Sequence, residues 1–200
     1  TAGFLDRTVS KAEADGAKLI IVRLNTPGGL LSSTRDMVAN LLESRVPSVV
    51  YVAPGGSRAA SAGTFITAAA NVAVMAPGTN IGAASPVGAD GAELPDTIKS
   101  KVMEDAAALM RDIALQRGRN VEKLEATVLQ ATAYSSQEAL DFNVVDFIGN
   151  DLDELLQQLD GMSVETAARG AGPDLMQPQP HNTLHIARGA VGQPTCRKIK

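Results

Sequence analysis

Apolar runs too short to make helices alternate with amphipathic stretches through the first 160 positions. Residues 18 to 24, KLIIVRL, form a continuous apolar run of the kind that a strand buried on both faces requires. NTPGG follows at once, and LLSSTRDMVANLLES then carries helical spacing, so the segment predicts strand, glycine turn, helix. The pattern repeats with VPSVVYV (46–52) as a strand, APGGSR as a turn and AASAGTFITAAA (59–70) as a helix of small residues. VAVMAP (72–77) predicts another short buried strand. Strands alternating with helices, each strand apolar on both faces, predict an α/β fold with a mostly parallel sheet.

Further along, residues 96–117 place Val102, Ala106, Leu109, Met110 and Ile113 on one face, which predicts a long amphipathic helix ended by Gly118. VEKLEATVLQA and SSQEALDFN predict two more helices, the second opened by Ser135 with Glu138 three residues on, a capping-box pattern. VVDFI (144–148) reads as a strand and DLDELLQQLDG as a last helix closed by Gly161. Beyond it, Gly170, Gly172, Pro173, Pro178, Pro180 and Pro194 interrupt any regular pattern. The division expected is therefore a main domain over 1–161 and an appendage over 162–200, a hairpin of MSVETA with NTLHIA and a frayed, solvated tail. At the other end, no start methionine or leader precedes the opening TAGFLDRTVSKAEADGAKLIIVRL, which starts as if inside a helix, so the termini are expected to be boundaries of a larger chain.

Composition removes several functions. A net charge of −4 with no long basic run argues against nucleic acid as a partner, and 3% aromatic residues leave little to stack on bases. Cys196 is the single cysteine, so there is no internal disulfide; with only His181 and His185 beside it, no convincing metal-ligand set exists, and no cofactor is expected. Neither NTPGGLLSST nor APGGSRAASAGT fits the phosphate-binding glycine patterns. The longest weakly polar stretch is far short of the roughly 20 apolar residues that cross a membrane, so this chain should be soluble.

Nucleophilic catalysis remains. Ser61 stands at a strand-turn-helix junction among Ala59, Ala60, Ala62 and Gly63, where backbone N–H groups and the positive end of a helix favour an oxyanion on a substrate. With both histidines in the appendage, its base has to be a lysine or a carboxylate. An ordinary lysine is neutral in only about one molecule in 2,500 at pH 7, so a lysine base must be desolvated. Lys99 and Lys101 near the start of the long helix are candidates, and both are residue types normally found at the surface. Lys101 falls closer to the apolar stripe. It is followed one turn later by Glu104 and Asp105, and an ion pair with either would keep it charged.

LNTPGGL after one strand, SRAASAGT after the next, then MAPGTNIGAASPV, KVMEDAAALMRDIALQRGRN and SSQEALDFNVVD resemble, over residues 3 to 160, the NfeD-type membrane-bound serine proteases. Those are relatives of signal peptide peptidase A and, more distantly, of ClpP. The resemblance implies a ClpP/crotonase-like fold and a Ser/Lys dyad. Ser61, the second serine of SRAASAGT, would be the nucleophile and Lys101 of KVMED the base, with Ala62 and Gly29, or in second place Gly28, supplying the oxyanion hole. From the residues themselves Gly28, Leu30 and Ser85 are candidate substrate contacts, Ser85 being otherwise a turn serine before Pro86. The resemblance further implies an apolar peptide substrate, a stomatin-like membrane protein as partner, a homo-oligomer, and membrane association of the full-length protein with the protease domain outside the cytoplasm. Two alternatives remain: a crotonase-type acyl-CoA enzyme, which needs the paired amides but no serine at 61, and an idle protease-like binding module at a membrane.

Overall fold

A computed structural model describes residues 2–87, 95–167 and 181–185. In chain order the elements are α1 (Ala2–Ala14), β1 (Ile20–Leu24), α2 (Leu31–Leu42), β2 (Ser48–Val52), β3 (Arg58–Ala60), α3 (Ala62–Ala69), β4 (Val72–Met75) and β5 (Asn80–Gly82). Then follow α4 (Asp96–Gln116), α5 (Val121–Leu129), β6 (Ala133–Ser135), α6 (Ser136–Asp141), β7 (Phe147–Ile148), α7 (Leu152–Leu159), β8 (Ser163–Ala167) and β9 (His181–His185).

The apolar runs form one parallel sheet in the order β1-β2-β4-β7. Every residue of β2 and β4 is buried, because side chains that alternate across the sheet find protein on both sides. Val50, Val52, Ala73 and Met75 join a large core shared with α2 to α5, while Val49, Tyr51, Val72 and Val74 join a smaller one closed by Leu155, Leu159 and Val164. The predicted strand over 144–148 shrinks to Phe147–Ile148: Val144 and Val145 are buried in the large core from a turn, which their N–H groups enter by bonding to the Ala139 carbonyl. Apolar character there reflects burial rather than pairing.

A second, three-stranded sheet, β3-β5-β6, stands beside the first, with β3 and β5 parallel and β5 and β6 antiparallel. It changes the expectation over 59–70. The chain first continues as a strand through Ala60, and the helix begins only at Ala62. All eight residues of α3 are buried, which its alanines, glycine and threonines permit by their size.

Both capping signals form. Ser135 and Glu138 make the reciprocal capping box, and Gly118 adopts φ 63 just past α4. β8 pairs antiparallel with β9, and it is fixed to the body by buried Val164 and Thr166 and by the Ala167 N–H, which donates to the Ser44 carbonyl. Cys196 and residues 170–180 lie outside the described residues.

Arg119, just past the end of α4, is a buried cation. It is 5% exposed, donates to the carbonyls of Ala68, Ala70 and Val144, and pairs with Asp146 at 2.9 Å. Arg117 donates alongside it to the carbonyls of Ala69 and Leu41. Burial, aided by the positive charge of Arg119, pushes the Arg117 guanidinium down to about 10. The two guanidiniums satisfy the last carbonyls of α3, where the helix presents its negative end.

Candidate active site

Ser61 lies between β3 and α3 with φ 52 and ψ −117. For a residue with a Cβ this conformation costs on the order of 1–3 kcal/mol, and it persists only where the surroundings impose it. Here they do so from both flanks. Ala60 pairs with Gly82, and the Ser61 N–H donates to the Gly82 carbonyl at 3.1 Å, carrying strand pairing up to the turn. Beyond it, the Thr64 N–H donates to the Ser61 carbonyl at 3.0 Å, and the Thr64 hydroxyl shares its proton between the carbonyls of Ala59 and Gly82. The backbone therefore reverses at Ser61 alone. Its half-buried side chain stands at the head of α3, with the Ala62 N–H behind it having no acceptor among the described residues.

The NTPGG turn closes on this point. Thr26 bridges to Ala59, its N–H donating to the Arg58 carbonyl at 2.8 Å and its carbonyl accepting from the Ala60 N–H at 3.2 Å. Gly28, at φ 147, faces Ser61 so closely that a Cβ there would lie 3.0 Å from the serine Cβ and 3.3 Å from its Oγ. A Cβ on Gly29 would lie 3.5 Å from that of Ala62. Gly28, Gly29, Ser61 and Ala62 are thus brought together from two turns, and the Gly29 N–H has no acceptor among the described residues.

The other candidates lie differently. Leu30 is 62% exposed next to the turn. Ser85 is half-buried, and its hydroxyl donates to the Val128 carbonyl at 2.5 Å, so it anchors its segment to the end of α5. Lys101 is exposed in the second turn of α4, as is every residue from Pro95 onward to it, Lys99 included. Neither carboxylate after it is paired with it: Glu104 pairs with Arg111 at 3.2 Å, and Asp105 pairs with Arg35 of α2. The apolar side chains of Leu30, Val87 and Ile98 are exposed, at 62, 75 and 50%.

Thr26, Thr64 and Gly82 join the predicted residues in holding this arrangement. A hydroxyl two residues ahead of a glycine is a turn signal, and it was present in NTPGG. Gly82 carried no such signal, because its need for glycine arises from the Thr132 carbonyl, which a Cβ would meet at 2.3 Å across fifty residues of chain.

The family described as NfeD1b, N-terminal domain, matches residues 1–168. Membrane-bound protease PH1510 of Pyrococcus horikoshii is 34% identical over 170 residues, which cover 82% of this chain and 38% of that protein. The chain therefore spans well under half the length of that relative. A solved structure of a 1510-N membrane-bound stomatin-specific protease, a lysine-to-alanine mutant in complex with a substrate peptide, is similar at TM-score 0.78 and 31% identity, covering 93% of this chain and 81% of that one. A serine-to-alanine mutant of the same protease gives TM-score 0.74 and 33% identity, covering 82% and 79%. ClpP1 from Listeria monocytogenes, at TM-score 0.60 and 22% identity over 77% of this chain and 86% of that one, shares the fold. No helix among the described residues is long and apolar enough to cross a membrane.

Proposed function

The chain belongs to the NfeD1b N-terminal domain family, and from that premise we propose that it is a serine endopeptidase that cuts apolar segments of membrane-associated, stomatin-like proteins with Ser61 and Lys101. The observation that carries the reading is the backbone of Ser61. A non-glycine residue held at φ 52 at the head of a buried helix, against a second glycine turn, is strained in the way that sites of chemistry are. A crotonase-type enzyme would have no use for it.

In the proposed reaction Ser61 Oγ attacks the peptide carbonyl carbon while its proton passes to the neutral amine of Lys101. The N–H groups of Gly29 and Ala62 receive the oxyanion, the amine leaves with a proton returned by the lysine, and water then hydrolyses the acyl-enzyme. Support for Lys101 over Lys99 comes from spacing. The serine and lysine replaced in the 1510-N protease stand 41 positions apart in that chain; Ser61 and Lys101 stand 40 apart and Ser61 and Lys99 stand 38 apart. An apolar peptide bound over the start of α4, where Ile98 is exposed, would take water away from that turn, and desolvation of that kind favours a neutral amine.

Hydrolysis of a quenched fluorogenic peptide of ten mainly apolar residues tests the reading. Ser61→Ala and Lys101→Ala each lose at least about 1,000-fold in kcat, and Lys99→Ala stays within a few-fold of wild type. Undiminished cleavage by Ser61→Ala would refute the protease, and loss in Lys99→Ala alone would move the base to that residue. We also expect the active form to be a homo-oligomer, which light scattering of the chain would show.

A further inference from the structure

Thr26 is the residue that touches both turns of the site. Its hydroxyl accepts from the Gly28 N–H at 3.2 Å and donates to the Gly28 carbonyl at 3.0 Å. The methyl group of the same side chain fits against the Cα of Gly63, where a Cβ would come within 2.7 Å of it. Its backbone is bonded in both directions to β3, immediately ahead of Ser61.

The hydrogen bond to the Gly28 carbonyl has a directional consequence. In a trans peptide the C=O of one residue and the N–H of the next point in opposite senses. Fixing the Gly28 carbonyl on Thr26 therefore fixes the Gly29 N–H to point away from Thr26, on a residue that is exposed and packed against Ala62. Gly28 has no side chain to hold this peptide by packing, and glycine has more rotational freedom than any other residue. The hydroxyl supplies the restraint.

We propose that Thr26 is a positioning residue for catalysis: its hydroxyl locks the Gly28–Gly29 peptide so that the Gly29 N–H is aimed at the substrate oxyanion before substrate arrives. The inference rests on the protease reading of Ser61. Without the hydroxyl the peptide rotates, the donor spends part of its time misaligned, and the loss falls on the transition state rather than on peptide binding. Removing an oxyanion donor outright costs about 100- to 1,000-fold in kcat, so a donor left in place but unrestrained should cost about 10- to 100-fold.

The test uses the 200-residue chain and the same quenched apolar peptide. Thr26→Val keeps the shape and removes the hydroxyl; Thr26→Ser keeps the hydroxyl and removes the methyl. The expected result is a 10- to 100-fold fall in kcat with KM within twofold for Thr26→Val, and recovery to within fivefold of wild type for Thr26→Ser. In a Ser61→Ala background, Thr26→Val should leave the Kd for the peptide, read by fluorescence anisotropy, unchanged. Wild-type kcat in Thr26→Val, equal loss in Thr26→Ser, or weakened peptide binding would each overturn the proposal. Should Thr26→Val fail to fold, Thr26→Ala takes its place, and unfolding of both would also overturn it, since the hydroxyl would then serve stability. Activity persisting in Ser61→Ala alone would instead bring down the protease reading and leave the geometry of Thr26 where it is.

Discussion

Gly28 and Ser61 meet without room for another carbon atom, and the contact defines what either position tolerates. Alanine at 28 would have to hold φ 147 and place its Cβ 3.0 Å from the serine Cβ. Both demands push the turn away from Ser61, by a few tenths of an ångström, and strain its backbone. A full 1 Å misplacement costs about 100-fold in rate, so Gly28→Ala should lose about 10-fold in kcat while its far-ultraviolet circular dichroism matches wild type; retention of wild-type turnover would contradict the close packing. At this scale the sequence was informative wherever small residues clustered, since GGSRAASAGT and NTPGG mark points where backbones approach. For Thr26 it offered a turn signal but not which peptide group the hydroxyl reaches, and it was silent on Arg119, whose burial depends on carbonyls from two separate segments.

The helix that follows Ser61 is held at both ends. Its first turn is bonded to β3 and β5 through Thr64, and its last carbonyls receive Arg117 and Arg119 from the end of α4. A buried guanidinium paired with Asp146 at 2.9 Å is destabilising to lose, because it leaves several carbonyls without this donor and Asp146 without its counter-charge. Arg119→Ala should cost about 3–5 kcal/mol of unfolding free energy in urea. Arg111→Ala, which breaks the more exposed pairs with Glu104 and Glu125, should lower stability far less than Arg119→Ala in the same urea titration. The long helices α2 and α4 were legible because their apolar faces repeat over several turns. The start of the helix predicted over 59–70 was not, since alanine and glycine fit a buried strand and a buried helix equally and only the partner Gly82 marks Ala60 as strand.

For the molecule as a whole, the parallel sheet was readable from continuous apolar runs, and the second sheet was not. β3, β5 and β6 have three residues each, with only one or two of them buried, so no period can show. The C-terminal limit of the body also depends on packing across the chain. Val164 seals the smaller core over Leu155 and Leu159, and Asn71 donates to the Glu165 carbonyl. A chain ending at Gly161 should melt about 5 °C or more below the full chain, as expected for losing a buried valine and its neighbours from a domain of this size. Equal melting temperatures would show that the strand is dispensable. The amide of Ser61 leans on Gly82, and the segment after Gly82 leans on α5 and β6, with Ala83 bonded to Thr132 and Ala84 to Thr127. Synthesis delivers these parts in order, and Ser61 is made 71 residues before Thr132. On the protease reading, the nascent chain therefore carries an unmounted, inert serine, and the growing polypeptide is protected from its own nucleophile until the segment that completes the mount has docked.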